Sequence, residues 1–201
     1  MKKSAWLPVL AVAAVTGCLD VTDPGQKIWH SFSFESGLEG WEAAATDVDF
    51  DGGELEWSIE RSQERATHGQ SSLRFRLNNL NNEGKIWITR EESVRPFGRY
   101  RVRISFDLAS ADPANGSPFV IVAGAFPVEP TTATTLQSAY RDPASNGTPS
   151  DSGYRWQEKS YETEVRAGED GKLHFVVGFW GTSIADRAYY VDDLRVSYEG
   201  L

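Results

Sequence analysis

Apolar and polar residues alternate with a period of two through much of this chain. The clearest stretch is 71–78, SSLRFRLN, in which leucine and phenylalanine occupy one parity and arginine the other, and 100–109, YRVRISFDLA, repeats the pattern. Because successive side chains of a β-strand point to opposite faces, each stretch predicts a strand with one buried face. No segment sustains the apolar spacing of an amphipathic helix. The chain therefore predicts an all-β domain, an antiparallel β-sandwich of about nine or ten strands.

The last alternating stretch, Ala188–Ser197, contains a charged residue in an unexpected place. Its alternation puts Asp192 on the same parity as Tyr190, Leu194 and Val196, which we expect to face the core. A carboxylate in that position is costly unless it meets a cation or several hydrogen-bond donors. Asp192 is therefore expected either to ligate a metal ion or to accept backbone N–H groups at a strand end.

Two further segments depart from simple alternation. Residues 119–126, FVIVAGAF, are almost uniformly apolar, which is typical of a central strand covered on both faces. The following segment, Pro127–Gly153, is rich in proline, threonine, serine, asparagine and glycine. It is expected to be a long loop, either functional or without regular structure.

The N-terminus has the composition of a secretory signal peptide. Lys2 and Lys3 precede an apolar run from residue 5 to residue 15. This run is shorter than the roughly 20 residues that a membrane-spanning helix needs. We therefore expect the chain to be exported.

The only cysteine of the chain follows this apolar run. The tetrapeptide Val15-Thr16-Gly17-Cys18 resembles the bacterial lipobox, with valine where leucine is commonest. The resemblance implies that Cys18 is acylated and becomes the first residue of the mature protein. The alternative is an ordinary signal peptide followed by an unpaired thiol, since no second cysteine exists for a disulfide.

The lipobox resemblance divides the chain into three parts. Residues 1–17 would be the lipoprotein signal peptide, 18–26 a tether, and 27–201 the β-sandwich domain. The protein would be lipid-anchored in the bacterial cell envelope. Leu19, rather than aspartate, follows the cysteine, which implies the outer membrane if the organism has one.

Charge and residue patterns exclude several classes of function. The formal net charge of −9 argues against binding nucleic acid and against electrostatic attraction to anionic lipid. His30, His68 and His174 are scattered, and no Ser/His/Asp order, zinc spacing or glycine-rich phosphate loop is present. We therefore predict that the protein is not an enzyme. Catalysis would need two or more carboxylates, or a histidine with a partner, in one pocket.

Three motifs, taken in order, point to a family. They are Phe32–Gly37 with Gly40-Trp41, then Ala66–Leu73, then Tyr189–Leu194. Their order and spacing resemble the galactose-binding-like jelly rolls that serve as carbohydrate-binding modules. The resemblance covers nearly the whole mature chain and implies a jelly-roll β-sandwich that binds glycan or polysaccharide without chemistry.

The same resemblance implies a structural calcium ion at the edge of the sandwich. Its ligands would be Glu35, backbone carbonyls around His68 and Gln70, and Asp192. Calcium suits such a set because a hard cation prefers carboxylate and carbonyl oxygens.

A second segment, Asp47–Gly53, resembles the start of an EF-hand loop. The twelfth position of that loop is Ser58 instead of a bidentate glutamate. A solvated strand that leads into a Gly-Gly turn is the interpretation we favour.

Candidate ligand-binding residues lie on the outward parity of three predicted strands. They are Trp87, Arg101, Arg103, His174 and Trp180. If these strands share one sheet, aromatic rings and hydrogen-bonding groups converge on a face suited to sugars. The alternative is that the two tryptophans are covered by loops or by the Pro127–Gly153 segment.

A different class of function uses the same fold. The domain could be a structural or protein-interaction lipoprotein of the cell envelope with a protein partner, since fold does not decide function. An exposed aromatic groove would favour glycan, whereas a flat apolar patch would favour a protein partner.

Overall fold

The computed structural model describes residues 25–110, 119–136, 140–144 and 154–201. These residues form thirteen strands and one short helix, and no helix among them is long and apolar enough to span a membrane. The strands are β1 (Lys27–Phe32), β2 (Glu42–Thr46), β3 (Asp49–Phe50), β4 (Gly53–Glu54), β5 (Trp57–Ser62), β6 (Ser72–Asn79), β7 (Lys85–Ser93), β8 (Arg99–Ser110), β9 (Phe119–Phe126), β10 (Tyr140–Ala144), β11 (Gln157–Arg166), β12 (Lys172–Gly181) and β13 (Ala185–Gly200), and the helix is α1 (Ala133–Leu136). Residues 1–24 lie outside the described ranges, so the signal peptide, Cys18 and most of the tether stay predictions.

Two antiparallel sheets pack face to face. Sheet A has the order β11-β8-β13-β6-β5, with β1 added on β13, and sheet B has the order β10-β9-β12-β7-β2. The short strands β3 and β4 form a separate hairpin from the segment that resembles an EF-hand loop, as expected of a strand leading into a turn. The predicted all-β antiparallel sandwich is confirmed.

The core between the sheets consists of the side chains that alternation places inward. On β6 and β8 the inward positions are occupied by the leucine, phenylalanine, valine and isoleucine residues that the sequence predicts, and all are buried. Aromatic rings fill much of the remaining space. Phe179 of sheet B stacks on Tyr189 of sheet A with ring centroids 4.2 Å apart and planes 4° apart, a contact that joins the two sheets.

Strand β13 changes parity at a β-bulge. Its register with β8 shifts between Asp192 and Arg195, and Asp193 has a φ of +48°. Tyr189 and Val191 therefore face the core before the bulge, whereas Leu194 and the alternate residues after it do so beyond the bulge. The predicted inward parity of Asp192 and Tyr190 is wrong, because one extra residue in the strand exchanges the two faces.

The bulge also lets β13 pair with two strands, β6 and β1, along the same edge. Residues 185–191 pair with β6, and residues 194–199 pair with β1. Asp192 lies at the point where one partner gives way to the other. It is fully buried there.

Candidate functional site

The first candidate site is the loop that precedes β6, which is held by the carboxylate of Asp192 on β13. Oδ2 of Asp192 accepts hydrogen bonds from the backbone N–H of Thr67 at 2.7 Å and of His68 at 2.8 Å. The Thr67 hydroxyl donates to the same oxygen at 3.2 Å, and the N–H of Asp193 donates to Oδ1 at 2.7 Å. The second interpretation of Asp192, a carboxylate that accepts backbone N–H groups, thus describes its surroundings.

Glu35 holds the other end of this loop. Its Oε1 accepts the backbone N–H groups of Gln70 at 2.7 Å and Ser71 at 2.9 Å. These hydrogen bonds to the charged form lower the pKa of the Glu35 carboxyl. Gly69 has a φ of +65°, and a Cβ on it would lie 2.1 Å from Oε1, so only glycine lets the carboxylate approach.

Glu35 and Asp192 therefore meet the same loop, as the predicted calcium site requires. However, three of their four carboxylate oxygens already accept hydrogen bonds, and calcium takes about six to eight oxygen ligands. Among the residues that the structure describes, no group of three or more acidic, histidine or cysteine side chains could hold a metal ion. The side chains alone do not complete a calcium site, and calcium binding stays a prediction.

The predicted ligand-binding residues Arg101 and Arg103 do not share a sheet with the others. Both lie on β8 in sheet A, where their guanidinium groups pair with glutamates of neighbouring strands. Arg103 Nη2 lies 2.9 Å from Glu162, and Arg101 contacts Glu164 at 3.3 Å and Glu199 at 3.2 Å. The hydrogen bond to Glu164 raises the pKa of Arg101. The structure therefore does not bring these arginines to the two tryptophans.

Trp87 and Trp180 lie on the outer face of sheet B but form no open platform. Trp87 is only 1% exposed and belongs to an apolar cluster that includes Leu136 of α1. Since α1 lies in the Pro127–Gly153 segment, the alternative that this segment covers Trp87 describes the arrangement. Trp180 is partly buried, with Lys85 Nζ 4.6 Å from the centre of its ring.

A second candidate site is a cavity of about 250 Å³ on the same face of sheet B. Its walls are formed by Gly40, Glu42, Thr89, Arg90, Glu91, Glu129 and His174. Strand register explains the grouping, because Glu42 pairs with Thr89 on β7, and Glu91 pairs with His174 on β12. His174 is the one predicted ligand-binding residue that lines it.

Two polar groups of this cavity have no hydrogen-bond partner among the residues that the structure describes. Thr89 is 4% exposed, and its hydroxyl oxygen has no hydrogen bond within the described part of the chain. The same holds for Nε of Arg90, whose Nη1 donates to the carbonyl of Glu39 at 2.9 Å. His174 is 7% exposed. Buried polar groups are normally paired, so the cavity is poised to accept an external hydrogen-bonding molecule.

The close packing beside the cavity depends on one glycine. Gly40 has a φ of +84°, and a Cβ on it would lie 2.5 Å from Nη1 of Arg90. A side chain at this position would displace the guanidinium group. Gly40 therefore fixes the position of Arg90 at the wall.

The sequence contained part of the signal for this cavity. Thr89 and Glu91 share the outward parity of Trp87, which the alternation of β7 identifies. Glu42 lies on the neighbouring edge strand, and its adjacency to Thr89 depends on strand order. Glu129 follows the end of β9, and no pattern in the sequence marks it.

Comparison with known proteins supports the fold. No protein-family model matches the chain, and no curated protein sequence matches it. The K1 cleaved adhesin domain of Lys-gingipain from Porphyromonas gingivalis W83 is 13% identical, with a TM-score of 0.51 over 84% of this chain and 97% of that chain. At this identity the likeness concerns the β-sandwich fold.

Two further similar structures are named as carbohydrate-binding domains. The CBM22-1 xylan-binding domain of Paenibacillus barcinonensis Xyn10C is 16% identical, with a TM-score of 0.45 over 87% of this chain and 96% of that chain. TmCBM61, solved in complex with β-1,4-galactotriose, is 14% identical, with a TM-score of 0.39 over 82% of this chain and 92% of that chain. Any function must therefore be argued from the residues of this chain.

Proposed function

We propose that this protein is a lipid-anchored, non-catalytic module of the bacterial cell envelope that binds carbohydrate in the cavity on sheet B. The observation that carries the proposal is the buried hydroxyl of Thr89, which lines that cavity together with His174 and has no hydrogen-bond partner within residues 25–110, 119–136, 140–144 and 154–201. The lipobox at Cys18 supports the anchor, and Leu19 after it supports the outer membrane where one exists.

The polar groups of the cavity suit hydroxyl-rich ligands. Carboxylates accept hydrogen bonds from hydroxyl groups, and the Thr89 hydroxyl and His174 imidazole can donate or accept. Lys172 Nζ already lies 2.8 Å from Glu91, so this pair holds one wall in place. Glu42 and Glu129 add negative charge at the opening. The preferred sugar is therefore neutral or carries an amine, and sulfated or uronic glycans are disfavoured.

Size and shape favour a short ligand or a chain end. A cavity of about 250 Å³ holds the volume of roughly eight waters, which is enough for one or two sugar rings. Next to the cavity, the outer face of sheet B is covered by the apolar cluster of Phe126, Val176 and Trp87, which packs with Leu136. A polysaccharide would consequently enter the cavity end-on and would not lie along the whole sheet.

The test is a binding screen of the folded chain 18–201 against a broad glycan panel, followed by titration calorimetry with the best ligand. Thr89→Val removes the hydroxyl at nearly constant volume, and we expect about 5–10-fold weaker binding from loss of one hydrogen bond. Thr46→Val, on the same face outside the cavity, is the matched control and should bind normally. A folded protein that binds no glycan would favour the protein-interaction role.

The cavity contains the carboxylates of Glu42, Glu91 and Glu129. Two or more carboxylates in one pocket are what catalysis would need. Incubation of each bound oligosaccharide with the protein, followed by chromatography, checks for cleavage. Our proposal predicts unchanged ligand, whereas turnover that Glu42→Gln abolishes would replace it with a hydrolase. Repeating the binding screen with calcium and with a chelator tests the calcium prediction at the same time.

The anchor has a separate test in cells. Labelled fatty acid should be incorporated into the wild-type protein and not into Cys18→Ser. Incorporation into neither would support the alternative of an ordinary signal peptide.

A further inference from the structure

Two aromatic side chains of the described residues are unusually exposed. Trp29 on β1 has 62% of its surface accessible, and Phe97 in the turn between β7 and β8 has 56%. Exposing large aromatic rings gives up the free energy of their burial. Their exposure leaves both rings free to contact a partner surface.

Both rings lie toward the same end of the sandwich. β1 begins at Lys27, which pairs with Glu199, and Glu199 pairs with Arg101 of β8. Phe97 precedes the start of β8 by two residues, and Trp29 is the third residue of β1. The start of β1 and the β7–β8 turn thus form one end of the domain.

Each exposed ring has a cation beside it. Lys27 Nζ lies 4.3 Å from the centre of the Trp29 ring, and Arg166 Cζ lies 5.8 Å from the centre of the Phe97 ring. Aromatic rings flanked by lysine and arginine are characteristic of protein surfaces at the membrane–water interface. In such surfaces, aromatic rings enter the headgroup layer while the cations stay at the phosphate level.

The turn holds Phe97 outward in a costly conformation. Phe97 has a φ of +56°, in the left-handed region that bulky residues rarely adopt. Its N–H donates to the Gly168 carbonyl at 3.0 Å, and Arg166 Nε donates to its carbonyl at 3.2 Å. A further bond from Gly98 N–H to the Arg95 carbonyl closes the turn. The ring is therefore presented by a fixed turn.

The covalent chain puts this end within reach of the anchor. Seven peptide units join Cys18 to Gly25, the first described residue, and they span at most about 25 Å. Gly25 lies two residues before the start of β1. The end that carries Trp29 and Phe97 is thus the part of the domain closest along the chain to the lipid.

We propose that this end of the domain rests on the lipid bilayer, with Trp29 and Phe97 inserted at the headgroup level. The proposal rests on the lipid anchoring proposed above. It needs no anionic lipid, since the net charge is −9 and the contribution comes from the two rings and local cations. The cavity, on the outer face of sheet B, then opens sideways from the membrane.

The experiment uses Cys18, the only cysteine, to attach the chain 18–201 to a maleimide lipid in phosphatidylcholine vesicles. The reference is the same chain coupled to a soluble maleimide polymer. Hydrogen exchange should slow in residues 25–32 and 94–100 on vesicles and stay unchanged in β12. Brominated lipid should quench part of the tryptophan fluorescence, and Trp29→Phe should abolish that quenching.

A double variant and a matched control decide the outcome. Trp29→Ser with Phe97→Asn should remove the protection, because both side chains are exposed and asparagine tolerates the left-handed conformation. Leu80→Ser with Ile184→Ser, exposed at the opposite end, should retain it. Equal exchange on vesicles and polymer would overturn the proposal. Because the chemical coupling supplies the anchor, that result would be independent of whether cells acylate Cys18.

Discussion

The outer faces of the two sheets are built in opposite ways. On sheet A, arginines of β6 and β8 pair with glutamates and aspartates of the adjacent strands, so that opposite charges alternate across the surface. On sheet B, the outer face carries a buried apolar cluster and a cavity in which two polar groups find no partner in the described part of the chain. The exposed arginines of β6 and β8 on sheet A lie in ion pairs, whereas the cavity on sheet B contains polar groups that have no hydrogen-bond partner among the described residues.

This difference shows that the charged residues and the candidate binding residues lie on different sheets. Arginine and glutamate attract attention in a sequence, yet on sheet A they neutralise one another in exposed pairs, which contribute little. Thr89 is a small uncharged residue, yet its buried hydroxyl, which no described residue pairs, is the stronger indication of a binding site.

The largest effect is expected where sheet B resembles a core. Trp87→Ala should lower the free energy of unfolding by about 3–5 kcal/mol, because it removes a buried indole beneath Leu136. Urea denaturation measures the change. Trp29→Ala is the matched control, and as an exposed tryptophan it should cost far less. Equal, small changes would mean that the outer face of sheet B is not a packed layer.

A smaller loss is expected from the loop between β5 and β6, which Asp192 of β13 holds. Asp192→Ala leaves the N–H groups of Thr67 and His68 without their acceptor, and should cost about 2–4 kcal/mol. Asp193→Asn keeps the left-handed conformation at the bulge and serves as control. If both variants unfold at the wild-type urea concentration, the loop is not held by the carboxylate.

Glu35 should make the stability of this loop depend on pH. Its folded pKa is lowered below the ordinary value of 4.5, so the charged form stabilises the fold above that pH, and the contribution disappears as the pH falls through the folded pKa. In EDTA, Glu35→Gln should be less stable than wild type at pH 7 and equal to it at the acid end. A gap that persists at low pH would contradict this assignment, and Glu60→Gln is the exposed control.

The smallest effect is expected on the charged face of sheet A. Arg103→Gln breaks the pair with Glu162 and should cost about 0–1 kcal/mol, with the difference shrinking in high salt. Glycan binding, measured by calorimetry, should be unchanged. Weaker glycan binding by this variant would mean that Arg103 belongs to the ligand-binding site. It would overturn the contrast between the two faces.

The alternation of apolar and polar residues predicts individual strands well, but it does not predict which strands pair with one another. The inward residues of β6 and β8 follow directly from the sequence, because each strand has one wet face. The parity of β13 does not, since the bulge at Asp193 depends on pairing with two different strands. The separation of Arg103 from Trp87 likewise depends on strand order, which local sequence does not specify.

The division of β13 between β6 and β1 has a mechanical consequence. The six residues of β1 pair antiparallel with β13, and their interstrand hydrogen bonds lie across the strand direction. Tension on the tether would act near the start of β1 and along its axis, so it would load these bonds together in shear and not open them one at a time. In the lipid-anchored protein that we propose, the first strand of the domain is thus arranged to carry force.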